Sequence, residues 1–267
     1  MPPSQGGEEG SIPFTRSHFS FKVQMKRISC RICGHKPELF RQHRVITDEL
    51  ARIWQLKPRE RAGFDRRESS ECENCGGSLR SRAIAETILL SYPESRCKLF
   101  ADWVKWAKQK GLAIAEINYC GQLHKYLAQN PKTKTSQYQE RTIRARIANR
   151  LKGIRSEDIT KLSYPSESFD LVLHSEVLEH VEDTAQALAE CRRILKPGGI
   201  CLFTVPLIME RKSKHKVKGE PSYHGSGEAD NLVYWEFGGD LLKKHGLKVA
   251  WTDPANYMWV LKLVNRD

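Results

Sequence analysis

Residues 157–206 contain the pattern that most constrains how this chain can fold. Residues 169–174 are a short run of mostly β-branched or large apolar side chains, and its length suits a buried strand. After Asp183, apolar side chains recur at three- and four-residue spacings, which predicts a helix capped by that aspartate. The Lys-Pro-Gly-Gly turn at residues 196–199 ends the helix, and residues 200–205 form a second buried strand. Strand, helix and strand in this order predict a βαβ unit in a parallel sheet.

Two segments of this stretch carry a resemblance to a known family. FDLVLHSEVLEHV at residues 169–181 and RILKPGG at residues 193–199 resemble the second half of class I S-adenosylmethionine (SAM) methyltransferases, and within them the type 11 branch. The resemblance covers residues 112–263. It implies an α/β, Rossmann-like fold in which a seven-stranded, mostly parallel sheet has helices on both faces, with a small N-terminal zinc-knuckle region attached. An ordinary βαβ unit of another Rossmann-like protein is the competing interpretation.

Two CxxC pairs, each followed by glycine, precede the predicted sheet: Cys30 with Cys33, and Cys72 with Cys75. Two such pairs can supply four thiolates to one tetrahedral Zn²⁺ ion, and the glycine relieves crowding where the backbone turns toward sulfur. We expect a structural zinc site, with a helical insertion over residues 45–62. Four buried free thiols are the alternative, and a redox pair is less favoured because no thioredoxin-like βαβ pattern surrounds either motif. The arrangement resembles the N-terminal zinc modules of some bacterial methyltransferases.

Three regions follow from these patterns. We expect a flexible tail over residues 1–25, a zinc-binding region over residues 26–95 and a SAM-methyltransferase-like domain over residues 96–267. The formal charge of +12 favours an anionic partner, and plain solubility is the alternative. No apolar run approaches the ~20 residues of a membrane span, and no secretory signal is visible, so we expect a cytoplasmic protein.

The methyltransferase resemblance implies a SAM site that begins after the first predicted strand. There the family reads E-x-G-x-G-x, and this chain has Glu116, Asn118 and Gly121, with asparagine and Cys120 in place of the two glycines. Asparagine tolerates the left-handed backbone conformation better than most residues, so the turn can form.

The resemblance implies further SAM contacts on the following strands. Gln137 stands where the family has a carboxylate for the ribose hydroxyls, and Tyr138 beside it would cover the adenine. Asp158 would accept a hydrogen bond from the adenine amine, and the backbone N–H of Ile159 would reach a ring nitrogen. Ser175 ends the next strand and completes the predicted cofactor set.

Polar side chains directly follow that strand, on the side where doubly wound sheets bind ligands. Glu176 and His180 are the catalytic candidates, with His180 as a general base for an oxygen or nitrogen nucleophile. Glu176, Glu179 and His180 also lie at positions i, i+3 and i+4, so one helical turn would present all three. Similar segments in quinone O-methyltransferases hold Mg²⁺, which makes magnesium a second interpretation. A framework role is the third.

Two basic stretches suggest an anionic ligand. Residues 141–155 contain five arginines and one lysine with no acidic residue among them, which is either a solvated face or an anion-binding patch. Residues 211–218, RKSKHKVK, follow the fifth predicted strand, where the family commonly shapes its acceptor pocket. Lysines there would bind a phosphate or carboxylate of the acceptor, and a solvated loop is the alternative.

These observations leave three functional hypotheses. The first is a SAM-dependent methyltransferase acting on a small-molecule or glycan acceptor, possibly anionic or phosphorylated. The second is a non-catalytic, zinc-containing binding protein on a degenerate methyltransferase fold. The third is RNA binding or RNA methylation, which the charge favours; the chain lacks the Asn/Asp-Pro-Pro-Tyr signature of base-amino methylation and a cysteine pair placed to attack cytosine.

Overall fold

The computed structural model describes residues 29–36, 44–138, 155–216, 222–223 and 232–265, so the predicted tail and most of the 141–155 run lie outside the described residues. Its helices there are α1 (Asp48–Ile53), α2 (Pro58–Ser69), α3 (Leu79–Ser91), α4 (Phe100–Lys110), α5 (His124–Leu127), α6 (Thr184–Ile194) and α7 (Asp240–His245). Its strands are β1 (Ile114–Ile117), β2 (Thr133–Gln137), β3 (Arg155–Ser156), β4 (Phe169–Ser175), β5 (Leu195–Thr204), β6 (Leu207–Ile208), β7 (Lys214–His215), β8 (Ser222–Tyr223), β9 (Leu232–Val233), β10 (Trp235–Gly238), β11 (Lys248–Asp253) and β12 (Met258–Val264).

The main sheet has seven strands in the order β11-β12-β5-β4-β1-β2-β3. Strands β1 to β5 pair in parallel, and β12 is antiparallel to both β5 and β11. Crossing from β2 through β1 to β4 reverses the direction in which successive strands are added, which creates the switch point of a doubly wound sheet. The predicted fold class is therefore confirmed.

Different elements cover the two faces of this sheet. On one face, α3 and α4 share an apolar core with Ile114, Leu171 and Leu202, and the fully buried Trp103 lies in it. Cys30 and Cys72 belong to the same core, so the cysteine-rich segment packs directly on the sheet. On the other face, α6 packs on the second apolar core. Asp183 caps α6 as predicted, accepting a hydrogen bond of 2.9 Å from the backbone N–H of Gln186.

The helical insertion predicted at residues 45–62 contains α1 and the start of α2. Thr47 caps α1 through a 3.0 Å bond from the Leu50 backbone N–H, and α2 begins at Pro58, where proline lacks the N–H that a continuing helix needs. Ile46 packs with Phe64 of α2 in a small third core.

Two local predictions differ from the structure. The sequence predicts a helix over residues 237–245, whereas in the structure β10 occupies Trp235–Gly238 and only Asp240–His245 is helical. A Cβ on Gly238 would lie 2.1 Å from the Arg211 carbonyl oxygen, so close approach of a distant loop sets this conformation. The turn at residues 196–199 is a bulge inside β5, because Leu195 already pairs with Phe169 before the register shifts.

Candidate functional site

Three parallel strands of the main sheet end side by side. Ile117 at the end of β1 pairs with Ser136 of β2 on one side and with His174 of β4 on the other. The loop after β1, the end of β2 at Gln137 and the end of β4 at Ser175 therefore lie along one edge. This is the carboxyl edge of the sheet, where doubly wound folds bind ligands.

Glu116 stabilises the loop after β1. Its side chain is fully buried, and its carboxylate accepts hydrogen bonds from the Cys120 backbone N–H at 3.0 Å and the Thr135 hydroxyl at 3.1 Å. His124 Nδ1 lies 2.7 Å from the same carboxylate, and this hydrogen bond raises the pKa of His124. Glu116 thus fixes the shape of the loop through partners inside the protein.

The loop itself adopts the backbone conformation of a glycine turn. Asn118 and Gly121 both have φ of +58°. Cys120 is 1% exposed and packs in the core, so its side chain belongs to the protein interior. A Cβ at Gly121 would lie 2.7 Å from the Ser81 hydroxyl of α3, which explains glycine at this position.

The predicted adenine-side residues lie on the next pair of strands, where Gln137 pairs with Ser156. Tyr138 is 59% exposed. Asp158 is exposed and accepts hydrogen bonds from both the backbone N–H and the hydroxyl of Thr160, at 2.8 and 2.7 Å. The Ile159 side chain is buried in the apolar core, so only its backbone would face a ligand.

The loop after β4 is tied to β5 and turns sharply. The Ser175 hydroxyl lies 2.8 Å from the Thr204 hydroxyl, and the Glu176 backbone N–H donates to the Thr204 carbonyl at 3.0 Å. Glu176 has φ of +54°, in the left-handed region that non-glycine residues rarely occupy. Only Leu178–His180 then form a short 3-10 turn, so the predicted helical turn does not begin at Glu176.

Two arginines from the N-terminal region bind the Glu176 carboxylate. Arg67 of α2 is 1% exposed and contacts Glu176 and Glu68, each at 2.6 Å. Arg80 of α3 lies 3.0 Å from Glu68 and 3.5 Å from Glu176. Burial raises the pKa of Glu176, but the positive charges of Arg67 and Arg80 outweigh it and lower the pKa to about 2. No local sequence pattern indicates this Arg67–Arg80 pair, because its partner Glu176 lies about a hundred residues away.

The magnesium set predicted at Glu176, Glu179 and His180 is not supported. Within the described residues, these three side chains do not form a cluster with ligand atoms within 4.8 Å of one another. The turn with positive φ directs the Glu176 side chain toward Arg67 and Arg80. Their positive charges neutralise the carboxylate charge that a bound cation would need.

His180 is held as a neutral base. Its Nδ1 donates to the Leu232 carbonyl oxygen at 2.7 Å, and burial lowers the pKa of His180. Its Nε2 lies 3.9 Å from the Glu179 carboxyl. Glu179 is fully buried, and its oxygens have no hydrogen-bond partner in the described part of the chain. Burial and the charge of Glu176 raise the pKa of Glu179 well above its ordinary value.

The four predicted zinc ligands come together in a four-cysteine site. Cys30 Sγ lies 3.8 Å from Cys75 Sγ, Cys33 Sγ lies 3.8 Å from Cys72 Sγ, and all four sulfurs are within 4.8 Å of one another. A tetrahedral zinc ion with bonds of about 2.3 Å places its sulfurs about 3.8 Å apart, whereas a disulfide needs about 2.05 Å. The donor set and spacing therefore fit zinc.

A recess with aromatic walls and cations at its rim lies beyond the end of β5. The space between its walls amounts to about 400 Å³, a figure that includes solvent at the open side. The residues that line it include Trp54, Phe64, Trp235, Phe237, Lys212 and Lys214, and we call it the basic recess. Lys212 and Lys214 are exposed.

The cations of the basic stretch at residues 211–218 differ in their contacts. Arg211 is engaged by the carbonyl oxygens of Trp54 and Gln55, at 2.9 and 2.8 Å, and by Glu60. Lys216 pairs with Glu236 at 2.8 Å. Lys218 lies outside the described residues.

A wider groove lies at the opposite edge of the sheet. It encloses about 730 Å³ including open solvent, and its lining includes Lys132, Lys134 and Arg155. Lys132 precedes β2 and Arg155 begins β3, so this groove is at the amino ends of the strands, away from the predicted cofactor loops.

Comparison with known proteins agrees with this geometry. Residues 116–203 match the family model of a methyltransferase domain. The chain is 42% identical over 53 residues to a probable SAM-dependent methyltransferase of Mycolicibacterium smegmatis, which is 20% of this chain and 21% of that protein. It is 44% identical over 48 residues to ubiquinone biosynthesis O-methyltransferase of Cereibacter sphaeroides, which is 18% of this chain and 19% of that protein. The chain thus spans about a fifth of the length of these curated relatives.

The solved structures that this chain matches include two methyltransferases. One is a chain of the complex between the Haloferax volcanii Trm112 methyltransferase activator and a methyltransferase, with a TM-score of 0.38 and 15% identity over 68% of this chain and 97% of that one. The other is a SAM-dependent methyltransferase of Aquifex aeolicus, with a TM-score of 0.36 and 14% identity over 58% of this chain and 81% of that one.

Residues 116–203 are therefore similar to a methyltransferase domain, and the order of the parallel strands is that of a doubly wound α/β sheet. No helix in the described ranges has the length and apolar character needed to cross a membrane.

Proposed function

We propose that this protein transfers the methyl group of SAM to a small-molecule or glycan acceptor that carries an anionic group. The observation that carries the proposal is the convergence of the β1 and β4 loops at the carboxyl edge of the sheet, within the stretch that matches the methyltransferase family. SAM supplies an electrophilic sulfonium methyl group. The protein therefore mainly has to bind SAM and the acceptor, align them and exclude water, and it has less need to activate the acceptor.

The cofactor would lie along this edge. The left-handed backbone at Asn118 and Gly121 gives a tight turn that lets a ligand approach the main chain. Gln137 and Tyr138 would meet the ribose and adenine, and the exposed Asp158 carboxylate would accept from the adenine amine. Glu116 and Ser175 lie where the loops after β1 and β4 begin. Their hydrogen bonds would keep these loops in the conformation that binds the cofactor.

His180 would serve as the general base. Because Nδ1 donates to a backbone carbonyl, the lone pair of the neutral ring is on Nε2, which can take the proton of an acceptor hydroxyl or amine during methyl transfer. Glu176 would position this loop through the Arg67–Arg80 pair and would not itself meet the acceptor.

The basic recess is the proposed acceptor site. Trp54 and Trp235 offer flat apolar walls, and Lys212 and Lys214 at the rim would attract a phosphate or carboxylate. We also propose that the four-cysteine site holds a structural zinc ion, since its donors and spacing fit and it lies in the same core as the sheet.

Isothermal titration with SAM and with its product S-adenosylhomocysteine tests the cofactor proposal. Asp158→Ala should weaken binding of both by roughly 10-fold or more, by the 1.5–3 kcal/mol typical of a charged hydrogen bond, while the melting temperature changes little. Asp102→Ala, at an exposed aspartate on α4, is the matched control. If millimolar SAM and S-adenosylhomocysteine leave the melting temperature of the parent unchanged, the non-catalytic zinc-containing binding protein becomes the better hypothesis.

A further inference from the structure

A second cluster of metal-ligating side chains lies inside the protein, apart from the four-cysteine site. It consists of His174 on β4, Cys191 on α6 and Cys201 on β5 (the buried His-Cys-Cys cluster). One ligand atom from each residue lies within 4.8 Å of the other two, and all three residues are 0% exposed.

The fold brings these residues together from three elements. In the paired strands, Val172 lies opposite Cys201 and His174 lies opposite Phe203, so His174 and Cys201 share one face of the sheet. That face is covered by α6, whose apolar side includes Cys191. The His174 ring stacks on Phe203 with centroids 4.6 Å apart and planes 15° apart, which fixes the orientation of the imidazole.

The imidazole of His174 is unusual for a buried group. Neither of its ring nitrogens has a hydrogen-bond partner among the residues that the structure describes. A neutral imidazole has one N–H donor and one lone pair, and buried polar atoms are nearly always paired because leaving them unpaired costs free energy. The two thiols are the other metal-ligating atoms of the cluster, and a thiol is a weak hydrogen-bond partner but a strong ligand once deprotonated.

We propose that His174, Cys191 and Cys201 bind a thiophilic d¹⁰ cation, Zn²⁺ or Cu⁺, in the interior of the domain. Thiolate and imidazole donors select this class of ion over magnesium or calcium. Bonds of about 2.3 Å to sulfur and 2.0–2.1 Å to nitrogen place the ligand atoms about 3.5–3.8 Å apart, within the 4.8 Å limit of the cluster after a small side-chain contraction. Two thiolates balance the charge of Zn²⁺, and three protein ligands without water suit Cu⁺.

Bound metal would join α6 to β4 and β5, just before those strands reach Ser175 and Thr204. The ion would therefore stabilise the carboxyl edge of the sheet without touching cofactor or acceptor.

The test is a metal count on the full-length, reduced protein, with Co²⁺ as a spectroscopic probe. The parent should hold about two thiophilic ions per chain, one at each cluster. With Co²⁺ at both, the thiolate-to-cobalt charge-transfer band should correspond to about six thiolates, and to about four if only the four-cysteine site is filled. Separate anaerobic titrations with Zn²⁺ and with Cu⁺ against a chromogenic chelator identify the ion.

Variants assign the second ion to the cluster. His174→Phe, which keeps an aromatic ring against Phe203, should lose about one ion per chain and a third of the charge-transfer intensity, by the six-to-four thiolate ratio. Cys120→Ala removes a buried cysteine outside both clusters and should keep both ions. If the parent binds a single ion under Zn²⁺ and under Cu⁺, with a four-thiolate cobalt spectrum, the proposal is wrong. That result needs no variant, so a misfolded His174→Phe does not affect it.

Discussion

At the residue scale, the His180 imidazole is oriented by a hydrogen bond from Nδ1 to a carbonyl oxygen, which can only accept. The ring is thereby fixed in one tautomer, with the Nε2 lone pair directed away from the Leu232 backbone. The carboxyl oxygens of the adjacent Glu179 have no hydrogen-bond partner in the described residues, and burial raises the pKa of this carboxyl above its ordinary value.

Replacing His180 tests its proposed role as base. His180→Gln should lower kcat by about 10²–10⁴-fold and leave the affinity for SAM nearly unchanged, because general-base catalysis contributes on that scale. Burial lowers the pKa of His180, and only the neutral ring accepts a proton. The parent should therefore lose activity as pH falls through a value below the ordinary ~6.5, and its rate should be flat above neutrality.

His245→Gln is the matched control for this measurement. Burial also lowers the pKa of His245, but this residue lies at the end of α7, away from the β4 loop. Equal loss of kcat in the two variants, or an unchanged rate in His180→Gln, would mean that His180 is part of the framework.

At the element scale, the Arg67–Arg80 pair connects two helices of the N-terminal region to the loop after β4. Removing the Glu176 charge should destabilise the protein by about 3 kcal/mol, because it leaves Arg67 buried with only Glu68 as a counterion. The folded pKa of Glu176 is about 2, below the ordinary value of ~4.3, so its stabilising effect is present above pH ~4.5 and declines as pH falls toward 2.

Thermal unfolding of Glu176→Gln and the parent across pH 3–7 checks this. The difference in melting temperature should be constant from pH 5 to 7 and shrink below pH 4.5, because the Glu176 carboxylate then binds protons in the unfolded parent before it does so in the folded parent. Glu49→Gln, at an exposed position on α1, should match the parent throughout. A gap that persists unchanged at pH 3 would contradict the ion-pair argument.

The second cysteine pair stands between Arg67 and Arg80 in the chain. Cys72→Ser should remove the proposed zinc ion and lower the melting temperature by roughly 6–12 °C, because structural zinc binding is coupled to folding. Cys97→Ser, at a half-buried cysteine outside both metal-ligating clusters, should leave zinc content and stability close to those of the parent. Metal-free Cys72→Ser protein with the parent's melting temperature would exclude a structural role for the ion.

The elements show what local sequence can and cannot predict. The strand β4, the helix α6 with its Asp183 cap and the two knuckles follow from short-range periodicity and spacing, and the structure contains each of them where the sequence predicts it. The helix predicted over residues 237–245 begins too early, because Phe237 and Gly238 belong to β10, whose partner strands β6 and β7 precede it by about twenty residues and more. Arg67 carried no signal either, since its role depends on Glu176 meeting it in space.

At the scale of the whole molecule, the formal charge of +12 comes from cations of two kinds. Some form ion pairs or hydrogen bonds within the protein, and others, such as Lys212 and Lys214, are exposed to solvent. Lys212→Gln with Lys214→Gln should weaken binding of an anionic acceptor by about 10-fold at low salt, with a smaller effect at high salt, and leave SAM affinity unchanged. Lys108→Gln with Lys110→Gln on the exposed side of α4 is the control pair.

RNA is the competing anion in this experiment. Tight binding of unrelated RNAs that falls steeply with salt concentration would favour the RNA hypothesis, because each neutralised phosphate releases counterions. Acceptor methylation by the double variant that equals the parent at every salt concentration would leave the two lysines as ordinary surface residues.

The four-cysteine site also closes a long segment of chain, since Cys33 and Cys72 contact each other across 39 residues. That segment contains α1 and α2, which provide Trp54 and Phe64 to the wall of the basic recess. The entropy of closing a flexible loop grows only logarithmically, so even doubling its length costs only about 0.6 kcal/mol. Insertions between the two knuckles therefore add little to the entropy of closing this segment, and they can reshape the wall of the proposed acceptor site while the four cysteines stay together.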